Sequence, residues 1–289
     1  MFDIPSDPDE VIDVYLRAAE ENRSDTLLKG STLHFPNYGQ LVMTGDLHGH
    51  RRNFDKLVKF CVLGRSAGRH VILHEMVHEE VLRLDDVDLS HVLLYEAAHW
   101  KSAFPEQVHF LQSNHDLAQL TGQEITKNGR FLLRSFDDGV AQTFGRNNLN
   151  RVLEAIKQFI ASFPIAARTQ SGIFMAHSLP SPFDWPYFDC GVFDRKLAIE
   201  DLIDTGAVYN MVWGRAHTAE QLEDAAEKLQ ADIFVVGHQP QETGYAVAHE
   251  RMLILASDHN HGVFLPINLA KKHTIEELVK AIRPYVSVP

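Results

Sequence analysis

The residues best suited to chemistry stand just beyond short apolar runs. They are Asp46 and His48 after the run at 41–43, Glu75 after 70–73, Asn114 and His115 after 107–111, His177 after 172–176, and His238 after 232–236. Asp, Asn and His are common in turns, so one such residue alone would carry little weight. In open α/β sheets ligands bind outside the carboxyl ends of the strands, so five such ends in succession predict one shared site.

The types of these side chains indicate metal binding. The set contains two carboxylates, three imidazoles and one amide oxygen, from Asp46, Glu75, His48, His177, His238 and Asn114. This mixture of oxygen and nitrogen donors suits borderline divalent metals such as Mn, Fe, Zn or Ni. Six ligands are too many for one catalytic ion and enough for two ions that share a carboxylate. The sequence therefore predicts two divalent transition-metal ions.

The elements that must position these residues alternate along the first half of the chain. The second half adds short apolar runs, so that strands are expected at 41–43, 70–73, 107–111, 172–176, 232–236, 245–248, 252–256 and 263–267. Helices are expected at about 8–22, 54–61, 93–98, 149–163, 194–203, 219–230 and 274–283. This pattern predicts α/β sheets packed in layers, in a single domain over 1–289. The stretch 121–150 carries turn formers and little periodicity, which predicts an insertion or a cap.

Composition and charge exclude several classes of protein. The 289 residues carry 27 basic and 39 acidic side chains, a net charge of −12 that argues against nucleic acid as the main partner. The two cysteines, Cys61 and Cys190, suggest no disulfide scaffold, and the acidic N-terminus is unlike a signal peptide. No apolar run approaches the roughly 18 residues of a membrane span. We therefore expect a cytoplasmic protein without a membrane partner.

Five blocks along residues 40–268 resemble the calcineurin-like metallophosphoesterases, and most closely their phosphoprotein phosphatase branch with its bacterial relatives. The blocks are G-D-L-H-G-H at 45–50, S-N-H-D at 113–116, G-I-F-M-A-H at 172–177, V-V-G-H-Q-P at 235–240 and L-A-S-D-H-N-H-G at 255–262. Each block alone is weak evidence, and their order and strand context make the match specific. The resemblance implies a β-sandwich of two mixed sheets flanked by helices.

The resemblance also implies a role for each residue. Asp46 and His48 would bind the first metal, Glu75 would bridge both metals, and Asn114, His177 and His238 would complete the second. His115 matches the family histidine that protonates the leaving oxygen, and Arg215 resembles an arginine that grips the phosphoryl oxygens. The implied reaction is in-line attack of a metal-activated water on a phosphomonoester.

The second block of the family departs most from its usual form, G-D-x-x-D-R-G. Residues 74–80 read H-E-M-V-H-E-E, so Glu75 replaces the bridging aspartate with a side chain one methylene longer. His78 replaces the aspartate that steadies the acid histidine in the phosphatase branch. Glu79 replaces a phosphate-binding arginine with an anion. These changes leave the metal site credible and put the usual substrate in doubt.

Three hypotheses follow for the function. The leading one is a dinuclear phosphatase whose substrate is a phosphoprotein, a nucleotide or another small phosphoester. The second is a metal-binding regulatory protein whose altered second block has removed useful turnover. The third is a zinc protease, because His74-Glu75-x-x-His78 spells H-E-x-x-H and Glu96 lies downstream as a third ligand. It requires both histidines on one helix, whereas 71–73 predicts a strand.

Overall fold

The computed structural model describes residues 4–80 and 86–289. Its strands are, in chain order, β1 (Leu28–Lys29), β2 (Thr32–Phe35), β3 (Gln40–Asp46), β4 (Arg69–His74), β5 (Val108–Leu111), β6 (Thr126–Lys127), β7 (Arg130–Phe131), β8 (Ala166–Thr169), β9 (Ile173–Ala176), β10 (Ile233–Val236), β11 (Tyr245–Ala248), β12 (Met252–Leu255), β13 (Val263–Asn268) and β14 (Arg283–Pro284). They form a seven-stranded sheet in the order β1-β2-β8-β9-β10-β12-β11, a five-stranded sheet in the order β14-β13-β3-β4-β5, and the hairpin β6-β7.

Both large sheets are mixed. In the five-stranded sheet β3, β4 and β5 are parallel, while β13 runs antiparallel to β3. In the seven-stranded sheet β9, β10 and β12 are parallel, while β11 runs antiparallel to β12. The predicted layered α/β architecture with two mixed sheets is confirmed.

Helices cover the outer faces of the sheets. They are α1 (Pro8–Arg23), α2 (Arg51–Cys61), α3 (Ser90–Ala103), α4 (Asn114–Thr121), α5 (Leu132–Phe144), α6 (Leu149–Ile160), α7 (Ile199–Leu202), α8 (Ala207–Val212), α9 (Ala219–Leu229) and α10 (Ile275–Ala281). The first helix begins as its sequence predicts, because the side chain of Asp7 accepts a hydrogen bond from the backbone N–H of Asp9 and Pro8 occupies the first turn. Within the described ranges, none of the helices has both the length and the apolar character needed to cross a membrane.

The strands that carry the site are buried on both faces. Ile72 of β4 packs into the core between the two sheets together with Met43 and Val235. Its neighbours Val71 and Leu73 point the other way, into the core beneath the helices. Two apolar faces explain why these strands read as continuous apolar runs rather than as alternating ones.

The stretch 121–150 contains structure that its sequence pattern did not predict. Asn128 and Gly129, with φ of 52° and 77°, form the two-residue turn between β6 and β7. Helix α5 then buries Phe136 and Val140 completely, in the core shared with α3 and α6. Residues 132–144 are therefore part of the main core. That 121–150 is an insertion relative to similar proteins, and that 1–289 is one domain, stay predictions.

The two sheets meet at the end of β3. Asp46 pairs with Ala256 in a bridge between the sheets, and the backbone N–H of Ser257 donates to the carbonyl oxygen of Asp46 at 3.1 Å. A side chain at position 45 would not fit there, because a Cβ on Gly45 would lie 2.2 Å from the carbonyl oxygen of Leu255. Glycine at 45 is therefore what allows Asp46 to reach the second sheet.

We expect Gly45→Ala to destabilise the fold, because the obstructing atom is backbone and one of the sheets must move. Overpacking of this kind costs about 1–3 kcal/mol of unfolding free energy. Gly64→Ala is the matched control, since the nearest atom to its added Cβ is 3.8 Å away. Urea unfolding measures both variants, and equal stabilities would show that the sheet contact at Gly45 is not tight.

Candidate metal centre

The structure brings the six predicted ligand residues to one edge of the sandwich. Asp46 is the last residue of β3, Glu75 follows β4, and Asn114 opens α4 just beyond β5. In the other sheet His177 follows β9 directly, and His238 lies two residues beyond β10. The expected convergence of strand ends is therefore present, from both sheets rather than from one.

His177 lies at the middle of a buried group of polar atoms. Its Nε2 is 2.7 Å from Oδ1 of Asn114, 3.1 Å from Nδ1 of His238 and 3.9 Å from Oε1 of Glu75. Its Nδ1 is 3.5 Å from Oδ1 of Asp46. The polar atoms of four side chains, each from a different strand end, therefore lie within 4 Å of the His177 ring nitrogens.

The ligand-type atoms fall into two clusters that share one carboxylate. Asp46, Glu75 and His177 form one cluster, and His48, Glu75 and His115 form the other, with the ligand atoms of each cluster within 4.8 Å of one another. In the second cluster His48 Nε2 lies 3.3 Å from Glu75 Oε2. The family resemblance implies that Asp46 and His48 bind the same ion, whereas the structure places Asp46 in one cluster with His177. The partition of ligands between two ions stays a prediction.

Unpaired polar atoms in this group fit a bound cation. Asp46 Oδ1, His177 Nδ1 and His238 Nε2 are buried and make no hydrogen bond within the described ranges. Most buried polar atoms in proteins are hydrogen-bonded, so three such atoms without a hydrogen bond in one place call for an explanation. Divalent metal ions bind such carboxylate oxygens and imidazole nitrogens. The residues present therefore suit a metal site.

The pKa values of the group lead to the same conclusion. Burial, followed by the charge of Glu75, raises the pKa of Asp46 well above its usual value. Burial raises the pKa of Glu75 to about 8, with the charge of Asp116 adding to the effect. Burial, followed by the charge of Arg215, lowers the pKa of His238 to about 3. Neutral imidazole is the form that binds metal, and a nearby cation would favour the ionised carboxylates.

Three of the candidate ligands sit on unusual backbone. His48, Glu75 and His238 have φ of 42°, 40° and 66°, in the left-handed region that non-glycine residues rarely adopt. Each residue in such a conformation costs on the order of 1–3 kcal/mol of folding free energy. Residues of this kind are concentrated at functional sites. The surrounding hydrogen bonds hold this conformation in place, since the backbone N–H of His238 donates to Asp46 Oδ2 at 2.7 Å and that of His48 to the carbonyl oxygen of Glu75 at 2.8 Å.

A cavity of about 240 Å³ opens onto the candidate ligands. Arg215, predicted to bind substrate, lines this cavity with an exposed side chain and makes no ion pair within the described ranges. Lys127 and Trp213 line it too, and neither was identified from the sequence. The Asn128-Gly129 turn could have revealed the hairpin that carries Lys127, whereas nothing in the sequence placed that hairpin over the site.

His115, the predicted proton donor, also lines the cavity. Its backbone N–H donates to Glu75 Oε1 at 3.1 Å, and its Nδ1 lies 2.9 Å from Nδ1 of His78. His115 is therefore tied to the shared carboxylate through its backbone and to the altered second block through its ring.

The zinc-protease hypothesis is wrong because its helix is missing. His74 ends strand β4, and residues 75–80 are not helical. The two histidines face different partners: His74 Nδ1 lies 3.0 Å from the carbonyl oxygen of Thr44, and His78 contacts His115. Glu96, the suggested third ligand, forms an ion pair with Arg51.

The fold resembles that of solved phosphatases. A protein serine/threonine phosphatase from Saccharomyces cerevisiae, similar to human phosphatase PP5, aligns with 97% of this chain and 89% of its own, at 14% identity and a TM-score of 0.70. A cold-active protein tyrosine phosphatase aligns with 86% of this chain and 78% of its own, at 14% identity and a TM-score of 0.56. A cold-active protein tyrosine phosphatase from a psychrophilic Shewanella species aligns with 87% and 80%, at 13% identity and a TM-score of 0.52.

These identities are low, so the likeness is one of fold. No protein-family model and no curated protein matches the chain. The chain has a phosphatase-related fold, and the roles of its site residues stay predictions.

We expect Glu75→Ala to lose at least one of two bound metal ions, because a shared carboxylate offsets positive charge on both. Glu80→Ala is the control, since Glu80 is an exposed carboxylate in an adjoining pocket. Elemental analysis under metal-replete conditions should give two equivalents for the wild type and for Glu80→Ala, and at most one for Glu75→Ala. One equivalent in the wild type would contradict a dinuclear centre.

Proposed function

We propose that this protein is a dinuclear-metal phosphatase that hydrolyses phosphomonoesters. The observation that supports the proposal most directly is the pair of ligand clusters that share Glu75 at the floor of an open cavity. The phosphatase-related fold adds independent support. The residues that would hold the ions are the six predicted ligands Asp46, His48, Glu75, Asn114, His177 and His238. When bound, the two ions supply a Lewis acid for the phosphoryl oxygens and lower the pKa of the attacking water.

The cations at the cavity would bind the phosphoryl group. Arg215 offers a planar guanidinium that can donate two parallel hydrogen bonds to phosphoryl oxygens. Lys127 reaches the same cavity from the β6-β7 hairpin. Because neither side chain makes an ion pair within the described ranges, both are free to bind an anionic substrate.

The imidazole of His115 would hand a proton to the leaving oxygen. Bond breaking at phosphorus leaves an alkoxide when the leaving group is an alkyl or seryl oxygen, and a positioned acid protonates it as it departs. His115 lines the cavity and belongs to the cluster with His48 and Glu75, so its imidazole lies where such an acid is needed.

The cavity has room beside it for more than a phosphate. An adjoining pocket of about 500 Å³ shares His48, Lys127 and Asp258 with the cavity. We propose a phosphorylated protein side chain or a small phosphoester as the substrate class, with the leaving group extending into this pocket.

A metal-binding regulatory protein without useful turnover is the competing hypothesis. It is supported by three carboxylates that line the adjoining pocket, Glu79, Glu80 and Asp258. Their negative charge repels a phosphate dianion. Phosphatase assays on the metal-loaded protein with small phosphoesters separate the two. Hydrolysis that disappears in Glu75→Ala supports the enzyme, and full metal content without hydrolysis supports the regulatory protein.

We expect His115→Asn to retain both metals and to lose activity selectively. General acid help contributes about 10²–10⁴-fold in rate. The loss should reach about 10²-fold on a phosphoserine-like ester, whose leaving oxygen needs a proton. On nitrophenyl phosphate it should be only a few-fold, since nitrophenolate departs without one.

The control is His261→Asn, the same substitution at an exposed histidine of the loop after β12. It should leave both activities unchanged. Equal losses on the two substrates in His115→Asn would assign His115 a binding role. Loss of metal in that variant would make His115 a ligand, as its place in the second cluster allows.

A further inference from the structure

A line of hydrogen-bonding side chains runs behind His115, away from the cavity. Asp137 of α5 lies at its outer end, with Oδ1 3.4 Å from Nε2 of Gln119 in α4. The other amide atom of Gln119, Oε1, lies 3.2 Å from Nε2 of His78. The remaining ring nitrogen of His78 lies 2.9 Å from Nδ1 of His115. Three separate elements therefore contribute to one continuous chain of contacts.

The carboxylate of Asp137, at the outer end of the line, determines which group donates and which accepts in every hydrogen bond. An ionised Asp137 can only accept, so Gln119 must turn its NH₂ group toward it and its oxygen toward His78. That oxygen can only accept, so His78 must carry its proton on Nε2. A neutral His78 then presents the lone pair of Nδ1, which accepts the Nδ1–H of His115.

Burial leaves these groups few other partners. His78 and Gln119 are only 4% and 3% exposed to solvent. The ring of His78 packs edge-to-face on Phe136 of α5, with the ring centroids 5.8 Å apart. Its backbone N–H donates to Ser90 Oγ at 2.9 Å, and its φ of 61° shows that the loop is held in a strained shape. The contacts therefore hold His78 in one position.

We propose that Asp137, Gln119 and His78 form a positioning relay that fixes the tautomer of His115 and leaves its Nε2 for the metal cavity. The proposal rests on the phosphatase function proposed above. With Nδ1–H committed to His78, His115 can gain a second proton only at Nε2. When that proton passes to the leaving oxygen, the ring returns to the neutral form with its Nδ1–H in place.

The relay is needed because of what stands at position 78. An ionised carboxylate at this position would accept the Nδ1–H of His115 regardless of its other hydrogen-bond partners. An imidazole can donate or accept through either nitrogen, so alone it would leave the tautomer of His115 undefined. Gln119 and Asp137 remove this ambiguity by fixing which nitrogen of His78 carries the proton.

The first test reads the tautomers directly. Nitrogen-15 NMR of histidine-labelled, full-length protein, as purified and after loading with diamagnetic Zn²⁺, distinguishes protonated from bare ring nitrogens. At a pH of about 8, above the usual imidazole pKa of about 6.5, we expect protons on His115 Nδ1 and His78 Nε2. Spectra of His78→Asn and His115→Asn assign the signals. A proton on Nε2 of neutral His115 would overturn the relay.

Variants of Gln119 then test the connection. Gln119→Met keeps the size and removes the acceptor, so both histidines should lose their single tautomers. Gln119→Glu keeps an acceptor for His78 and should restore the wild-type pattern. Gln123→Met is the matched control, because Gln123 is exposed and contacts Tyr209 instead. An unchanged pattern in Gln119→Met would overturn the relay.

Kinetics show whether positioning matters for catalysis. In Gln119→Met we expect kcat on a phosphoserine-like ester to fall about 10-fold, part of the full general-acid contribution. KM and activity on nitrophenyl phosphate should stay within about 2-fold, the metal content should equal that of the wild type, and Gln119→Glu should recover most of kcat. Equal losses on both esters would mean that Gln119 acts through the fold, and would overturn the positioning role.

The NMR and kinetic experiments also distinguish a failure of the relay from a failure of the proposed function. A wild-type protein without phosphatase activity would refute the function, while the NMR arm would still decide whether the relay fixes His115. An active wild type whose His115 tautomer does not respond to Gln119→Met would refute the relay alone.

Discussion

The candidate site depends on how closely the two sheets approach at the end of β3. Asp46 pairs with Ala256 of the opposite sheet, and the absence of a side chain at Gly45 makes this contact feasible. Gly237 has the same role on the other side, because a Cβ there would lie 2.3 Å from Asp46 Oδ1. Both glycines therefore allow His177 and His238 of one sheet to lie beside Asp46 and Glu75 of the other.

The close contact between the two sheets buries ionisable side chains whose charged forms are costly to remove from water. Two carboxylates with raised pKa values lie against imidazoles with lowered pKa values, and the backbone of three candidate ligands is strained. An unpaired buried charge is expensive, and positive charge at the centre is the simplest way to offset it. The hydrophobic cores on both faces of β3 and β4 supply the stability that holds this arrangement in place.

The parts of the fold that could be predicted from the sequence are those with a simple pattern of apolar residues. Continuous apolar runs located β3, β4, β9 and β10, because strands buried on both faces need apolar residues at every position. The candidate ligands were predicted from their places just beyond these strands and β5. The pattern failed for α5, where Phe136 and Val140 are buried but the turn formers before them hide the helical period. The apolar pattern also could not show that the imidazole of His109, buried in β5, lies 2.8 Å from Asp25 Oδ2.

The altered second block shows why the remaining roles required three-dimensional contacts. Glu79 stands where the resembling family has an arginine, and the sequence alone suggests that it repels phosphate. In the structure its Oε1 accepts the backbone N–H of Leu89 at 2.6 Å, at the N-terminus of α3, where a helix favours a negative charge. Its neighbour His78 faces His115 and Gln119 instead.

Two differences from the resembling family that look like losses are thus accompanied by partners, one from the residue before α3 and one from α4. A block of sequence shows which side chain was replaced, but the partners lie 10 and 41 residues further along the chain. Because those partners satisfy Glu79 and orient His78, the altered block is compatible with an intact site. The difference from the resembling family at positions 78 and 79 is therefore weak evidence against catalysis, and the geometry around His115 is the stronger guide.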